Sequence, residues 1–317
     1  MLCVACVAQD GNDAIEENRD YAAISRALAE ELSLHGYDAS RPECKLEVLL
    51  RRADSRRMTD VVVVSSPRLE EAQVPGLDKP VSGPLFSFTL DAKDGRILEI
   101  SNCYLLKVVM ARTDEESAEP ELTEQEVKER CEALLARIRP DLNMAEMRLS
   151  SCRYNPDMHT MGRTWRVSFE RTWQGYAMQD DFVNISLDDR YGLRSFTTHL
   201  YSKPAEPVLK VQAKDAEAAA REKVEGILRK DGYALKGMLL SVQLDRTNTV
   251  YDNPCRYLHK SAAGKRFRQQ DAVLVHRIVY HVTAYENAAL REPSWRVAVI
   301  VLVSAETGRF LCGETGF

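Results

Sequence analysis

The chemistry open to this sequence rests on a few groups of ligand-type side chains. Asp157-Met158-His159-Thr160-Met161 places two thioethers and an imidazole just after Pro156, a set that soft copper accepts. Two methionines beside one histidine more often pack than bind metal, so no copper site is assigned. Asp180-Asp181 and Asp188-Asp189 flank one expected strand and offer hard oxygens to a cation such as calcium, yet they lack the spacing of a calcium loop. Capping its own turn suits Asp188 better. His276 and His281 lie five residues apart in an expected strand, so their side chains leave opposite faces and cannot share a metal without a bulge. Cys3-Val4-Ala5-Cys6 has redox spacing but no helix N-terminus to lower a thiol pKa. The eight cysteines show no zinc spacing, and the chain contains no dinucleotide-binding or phosphate-cradling glycine motif and no nucleophile elbow. No catalytic, cofactor-binding or metal residue is therefore assigned, and the expectation is a protein without a cofactor that is not an enzyme.

Two surfaces remain as binding candidates. The stretch from Arg256 to Arg268 has no acidic residue, and Arg256, Tyr257, Lys260, Lys265, Arg266 and Arg268 form the candidate partner-binding set for an acidic partner or an envelope surface. The plainer alternative is a solvated hairpin tip. Trp165, Trp173, Tyr176 and Phe182 would make an aromatic surface for a peptide or glycan if exposed, but strand alternation sends some of them into the core. Net charge is −5, spread unevenly: residues 1–113 carry 14 basic and 18 acidic side chains, 114–202 carry 11 and 17, and 203–317 carry 18 and 13. An acidic chain with one mildly basic third points to a protein or peptide partner rather than nucleic acid. No stretch of the chain reaches the length of apolar sequence needed to span a bilayer.

The elements that would position these groups are marked by a hairpin signature that occurs three times. Phe88-Thr-Leu-Asp91 leads to Gly95, Ile185-Ser-Leu-Asp188 to Gly192, and Val301-Leu-Val-Ser304 to Gly308. In each, a strand meets a turn-initiating Asp or Ser, and a glycine four residues later supplies the positive φ of a bulged hairpin loop. The glycines recur at about 100-residue intervals, which implies a repeated unit. Helices are expected over 21–34, behind an Asp20 cap, over 123–138, where Thr123 and Glu126 form a capping box, and over 215–230. An acidic linker at 114–122 and a two-proline linker at 202–207 divide the chain into 1–113, 114–202 and 203–317. The apolar start Met1–Ala8 reads either as the tail of a signal peptide or as a short buried strand.

Trp165-Arg-Val-Ser-Phe-Glu-Arg171, the turn Trp173-Gln-Gly175-Tyr and the strand Asp180–Asp188 before Gly192-Leu resemble PepSY-like repeats of the YcdB/YcdC type. They are also similar to the related propeptide domains of thermolysin- and fungalysin-type metalloproteases. Trp295-Arg-Val and Ser304-Ala-Glu-Thr-Gly308 repeat part of the pattern, and 18–110 matches it weakly. The resemblance implies a bacterial, extracytoplasmic (secreted or periplasmic) α+β protein of tandem units, each one helix packed on a curved antiparallel β-sheet. It further implies a protein or peptide partner met by a protease-inhibitor-like or chaperone-like module. No His-Glu-x-x-His occurs within these 317 residues. The alternatives are an enzyme with a dispersed active site in an inter-unit cleft and an envelope scaffold component.

Overall fold

Alternating valine, isoleucine and aromatic residues make strands the commonest element of this chain. The computed structural model describes residues 19–54, 59–73, 80–105, 107, 119–155, 164–200, 204, 206–252, 254, 272–286 and 292–316. Its strands fall into two compact units, and the segment 143–199 contributes to both.

In the first unit, β1 (Glu47–Asp54), β2 (Thr59–Ser65), β5 (Phe86–Asp91) and β6 (Ile97–Asn102) pair antiparallel in that order, and β10 (Gly192–His199) adds antiparallel to β6. Their inward side chains include Val62, Val64, Phe86, Phe88, Leu90, Ile100 and Phe196, all fully buried or nearly so. Helix α1 (Tyr21–Glu31) is capped by Asp20, whose carboxylate accepts from the Ala23 amide at 2.8 Å. The Tyr21 hydroxyl donates to the Ala92 carbonyl at 2.7 Å and pins the helix to the β5–β6 turn. Helix α2 (Glu124–Ile138) begins with the complete capping box of Thr123 and Glu126 and buries Val127, Cys131, Leu135 and Ile138. Strands β3 (Leu69–Ala72) and β4 (Val81–Gly83) form a small antiparallel ribbon.

The second unit is built on an antiparallel meander of β11 (Leu239–Asp252), β12 (Val273–Tyr285), β13 (Trp295–Ser304) and β14 (Phe310–Gly316). The third expected helix is two, α3 (Ala213–Arg221) and α4 (Val224–Lys230), interrupted at Glu222-Lys223. Both keep their apolar face on one core, where Ala216, Ala220, Val224, Ile227 and Leu228 meet Ile278, Tyr280, Val299 and Val301. β7 (Met147–Asn155), β8 (Thr164–Trp173), β9 (Tyr176–Asp188) and β10 each place residues in both units.

This architecture corrects the expected fold class. Tandem units of one helix on a separate curved antiparallel sheet do not form: among the described residues twelve strands belong to one large mixed sheet, and helices are few. The sheet is mixed, because β9 meets β11 in parallel at Met178 and Tyr251. The physical reason lies in the middle strands. β9 runs 13 residues, long enough to pair at both ends, so no separate middle sheet closes.

The three signature hairpins share one geometry. Gly95, Gly192 and Gly308 have φ of 75°, 82° and 69°. Asp91 accepts from the Lys93 amide, Asp188 from the Arg190 and Tyr191 amides, and Ser304 from the Thr307 amide. Each turn-initiating side chain thus satisfies amides that the tight loop leaves without a strand partner.

Candidate functional site

Residues Arg256, Tyr257, Lys260, Lys265, Arg266 and Arg268 lie outside the described residues, as do Asp157–Met161, Cys3 and Cys6. The base of the basic stretch is described. Tyr251 pairs with Leu274 and Asp252 with Val273, where the β11–β12 ladder ends. Met178, Tyr251, Ala272, Leu274 and Ala305 form a buried cluster there, with Trp173 and Tyr176 packed against it. The Tyr176 and Tyr251 rings meet edge to face at 6.3 Å. Burial, with the neighbouring Tyr176 and Glu206, pushes the Tyr251 hydroxyl above its ordinary pKa. Asp252 is buried and faces Arg277 at 4.0 Å.

The four aromatics do not form one surface. Trp165 is buried, its indole donating to Asp189 at 2.6 Å and its ring 5.2 Å from Tyr154. Trp173 and Tyr176 pack at the base just described, and Phe182 stacks on His199 at 5.7 Å. The two strand histidines do take opposite roles. His276 is buried between the Thr249 hydroxyl at 3.0 Å and the Val211 carbonyl at 2.8 Å, whereas His281 is exposed and 3.6 Å from Asp245. A carbonyl only accepts, so Nε2 of His276 carries the proton in that bond.

Asp181, Asp188 and Asp189 are committed to internal bonds. Asp181 is buried against Arg171, which also reaches Glu146 at 3.3 Å. Asp189 accepts from Trp165 and from the Glu121 amide, and Arg190 pairs with Glu121. Desolvation pushes the Asp188 carboxyl above its ordinary pKa, against the two amide bonds that lower it. Cys44, Cys131 and Cys312 are buried free thiols, and burial drives that of Cys131 up to about 12, far from a reactive thiolate.

A third surface escaped the sequence reading. Every residue of β1 from Glu47 to Ala53 is exposed, and it includes three consecutive large apolar side chains, Val48, Leu49 and Leu50, at 46%, 67% and 39% exposure. Strand β1 ends the sheet order, and among the described residues its one strand partner is β2. Among the described residues its outer backbone is open to a further strand. Two other strands carry side-chain bonds on their backbone. On β14 the Thr315 amide and hydroxyl both bond to Asp231, and on β11 Arg221 donates to the Val242 carbonyl at 3.1 Å. Among the described residues no side chain caps the backbone of Val48–Arg52 in this way. The signal in the sequence was the broken alternation of Val48-Leu49-Leu50, which no single buried face can absorb.

No protein-family pattern matches this chain, and no curated protein matches its sequence. Among the solved structures that align with it are two at 9% identity. The Bacillus megaterium YpeB C-terminal domain aligns over 92% of this chain and 96% of its own, with a TM-score of 0.40. An uncharacterized protein from Eubacterium rectale aligns over 93% of this chain and 82% of its own, with a TM-score of 0.43. Among the described residues, no helix is long and apolar enough to cross a membrane.

Proposed function

We propose that this chain is a non-catalytic, extracytoplasmic binding protein that takes an extended polypeptide by strand addition at β1. The observation that carries this reading is the uncapped edge bearing Val48, Leu49 and Leu50 in water. Three adjacent exposed apolar residues on an open edge are an aggregation hazard unless something covers them. An added strand satisfies the open backbone and shields the side chains together, with main-chain bonds giving affinity and side chains giving selection. The basic residues 256–268 would supply a second, electrostatic contact for an acidic partner.

The test is fluorescence anisotropy with a panel of labelled apolar decapeptides. Binding should vanish when alternate peptide amides are N-methylated, which blocks ladder formation, and in the variant Leu49→Lys. Equal binding by methylated peptide or by that variant overturns strand addition. Cleavage of any peptide by the purified protein overturns the non-catalytic reading.

A further inference from the structure

We propose that the polypeptide taken at β1 carries two consecutive acidic residues ahead of an apolar run and adds antiparallel to that strand. This inference rests on the strand-addition reading above and names what the edge selects.

The register sets what each face of the edge offers. Cross-strand partners share a face of a sheet, and so do residues two apart on one strand. Val48 and Arg51 pair with Val64 and Val62 of β2, whereas Leu50 and Arg52 pair with Val63 and Val61, the register shifting between Val48 and Leu50. Val48 and Arg51 therefore lie on one face, and Leu50 and Arg52 on the other. Each face of the edge presents one apolar side chain and one arginine, all four exposed. Successive residues of an added strand alternate between the same two faces, so two neighbouring acidic residues put a carboxylate beside each arginine.

Charge is unbalanced along this edge. Among the described residues no carboxylate pairs with Arg51 or Arg52. The Arg51 guanidinium rests 5.3 Å from the Tyr21 ring centroid, a contact that leaves its charge for a ligand carboxylate. At the other end Glu47 is already bonded to Lys45 at 2.6 Å. An added strand thus meets unneutralised positive charge at the arginines and a balanced pair at Glu47, which places its own acidic residues opposite the arginines. Antiparallel pairing is the stronger ladder and the one β1 already makes with β2, and it brings the N-terminal end of the ligand to Arg52. Read from its N-terminus, the ligand is acidic, acidic, apolar, apolar. An anionic bilayer would also attract arginines beside apolar residues, but it leaves the open strand backbone without partners, which a peptide supplies.

Fluorescence anisotropy with labelled octapeptides tests the assignment. Ser-Asp-Glu-Val-Ile-Val-Thr-Ser should bind about tenfold more tightly than its counterpart with Asn-Gln in place of Asp-Glu, and than the same sequence reversed, because each opposite-charge pair across a ladder adds a small increment. The difference should shrink at high salt. Arg52→Glu alters an exposed side chain with no ion pair among the described residues and leaves the fold intact. That variant should lose the preference and favour Ser-Lys-Glu-Val-Ile-Val-Thr-Ser, whose lysine falls opposite the substituted side chain. Equal binding of the acidic, amide and reversed peptides, or an Arg52→Glu variant with wild-type preferences, overturns the proposal. If those peptides bind alike and Leu49→Lys binds none, strand addition stands and the selectivity alone falls. If none binds the wild-type chain, both fall. Capture by phosphatidylglycerol vesicles without peptide binding, or a dimer of the free chain that excludes every peptide, gives the edge a different occupant and overturns the proposal as well.

Discussion

A buried indole N–H needs an acceptor, and a buried carboxylate needs donors; Trp165 and Asp189 meet both needs at 2.6 Å. Trp165→Phe keeps most of the packing but takes one donor from Asp189, and should cost roughly 1–3 kcal/mol. Trp165→Ala adds a cavity and should cost roughly 3–5 kcal/mol. Urea titration of both variants ranks the two losses, and a Trp165→Phe variant as stable as wild type would leave the hydrogen bond without effect. Asp188, one residue away, works in the opposite sense. Burial raises its carboxyl pKa, so the folded state holds that proton at a pH where the unfolded chain has released it. Its contribution is therefore fullest below the ordinary aspartate pKa and is lost as pH rises through the raised value. Asp188→Asn keeps an oxygen for the Arg190 and Tyr191 amides but cannot ionise. The variant should gain stability relative to wild type between pH 4 and pH 7, measured by urea titration at both, and a constant difference would refute the shift.

Local elements were legible where one residue type satisfies one backbone need. The capping box of Thr123 and Glu126, the Asp20 cap and the three hairpin glycines are of this kind. Gly192 tests the point, since a Cβ placed there meets nothing within 4 Å and any cost of substitution is backbone strain alone. Gly192→Ala should cost about 1–2 kcal/mol, and Gly192→Asn less, because asparagine tolerates the left-handed region. Thermal melting of both variants checks the order, and equal costs would point to a lost contact instead. Partner choice was not legible. Nothing in the sequence of β9 or of β11 announces their parallel meeting at Met178 and Tyr251. The break at Glu222-Lys223 has no glycine or proline to signal it, and the apolar stripe runs through it unbroken. The β1 edge was not legible because three apolar residues in a row do not say which side of a strand is covered; exposure depends on what lies beside it.

Over the whole molecule, much of the organisation is carried by connections that hydrogen bonds hold in place. The two-proline linker leads into 208–212, which is pinned within the second unit rather than left as a spacer. The Lys210 and Val211 amides both donate to the Ala305 carbonyl at 3.0 Å, just after the β13 strand. From the other side, His276 donates to the Val211 carbonyl and bonds the Thr249 hydroxyl, so one buried imidazole joins the linker to β11 and β12. The arrangement ties the start of α3 to the same sheet on which that helix packs through Ala216 and Ala220. His276→Phe fills the volume but leaves a carbonyl and a hydroxyl without this partner, and should cost roughly 1–3 kcal/mol. The diagnostic readout is local: amide hydrogen exchange over 208–212 should speed up well beyond any change in the central strands, because the linker then opens without the sheet. Uniform acceleration across the second unit would show instead that His276 acts through the core, and unchanged exchange would remove it from the tether.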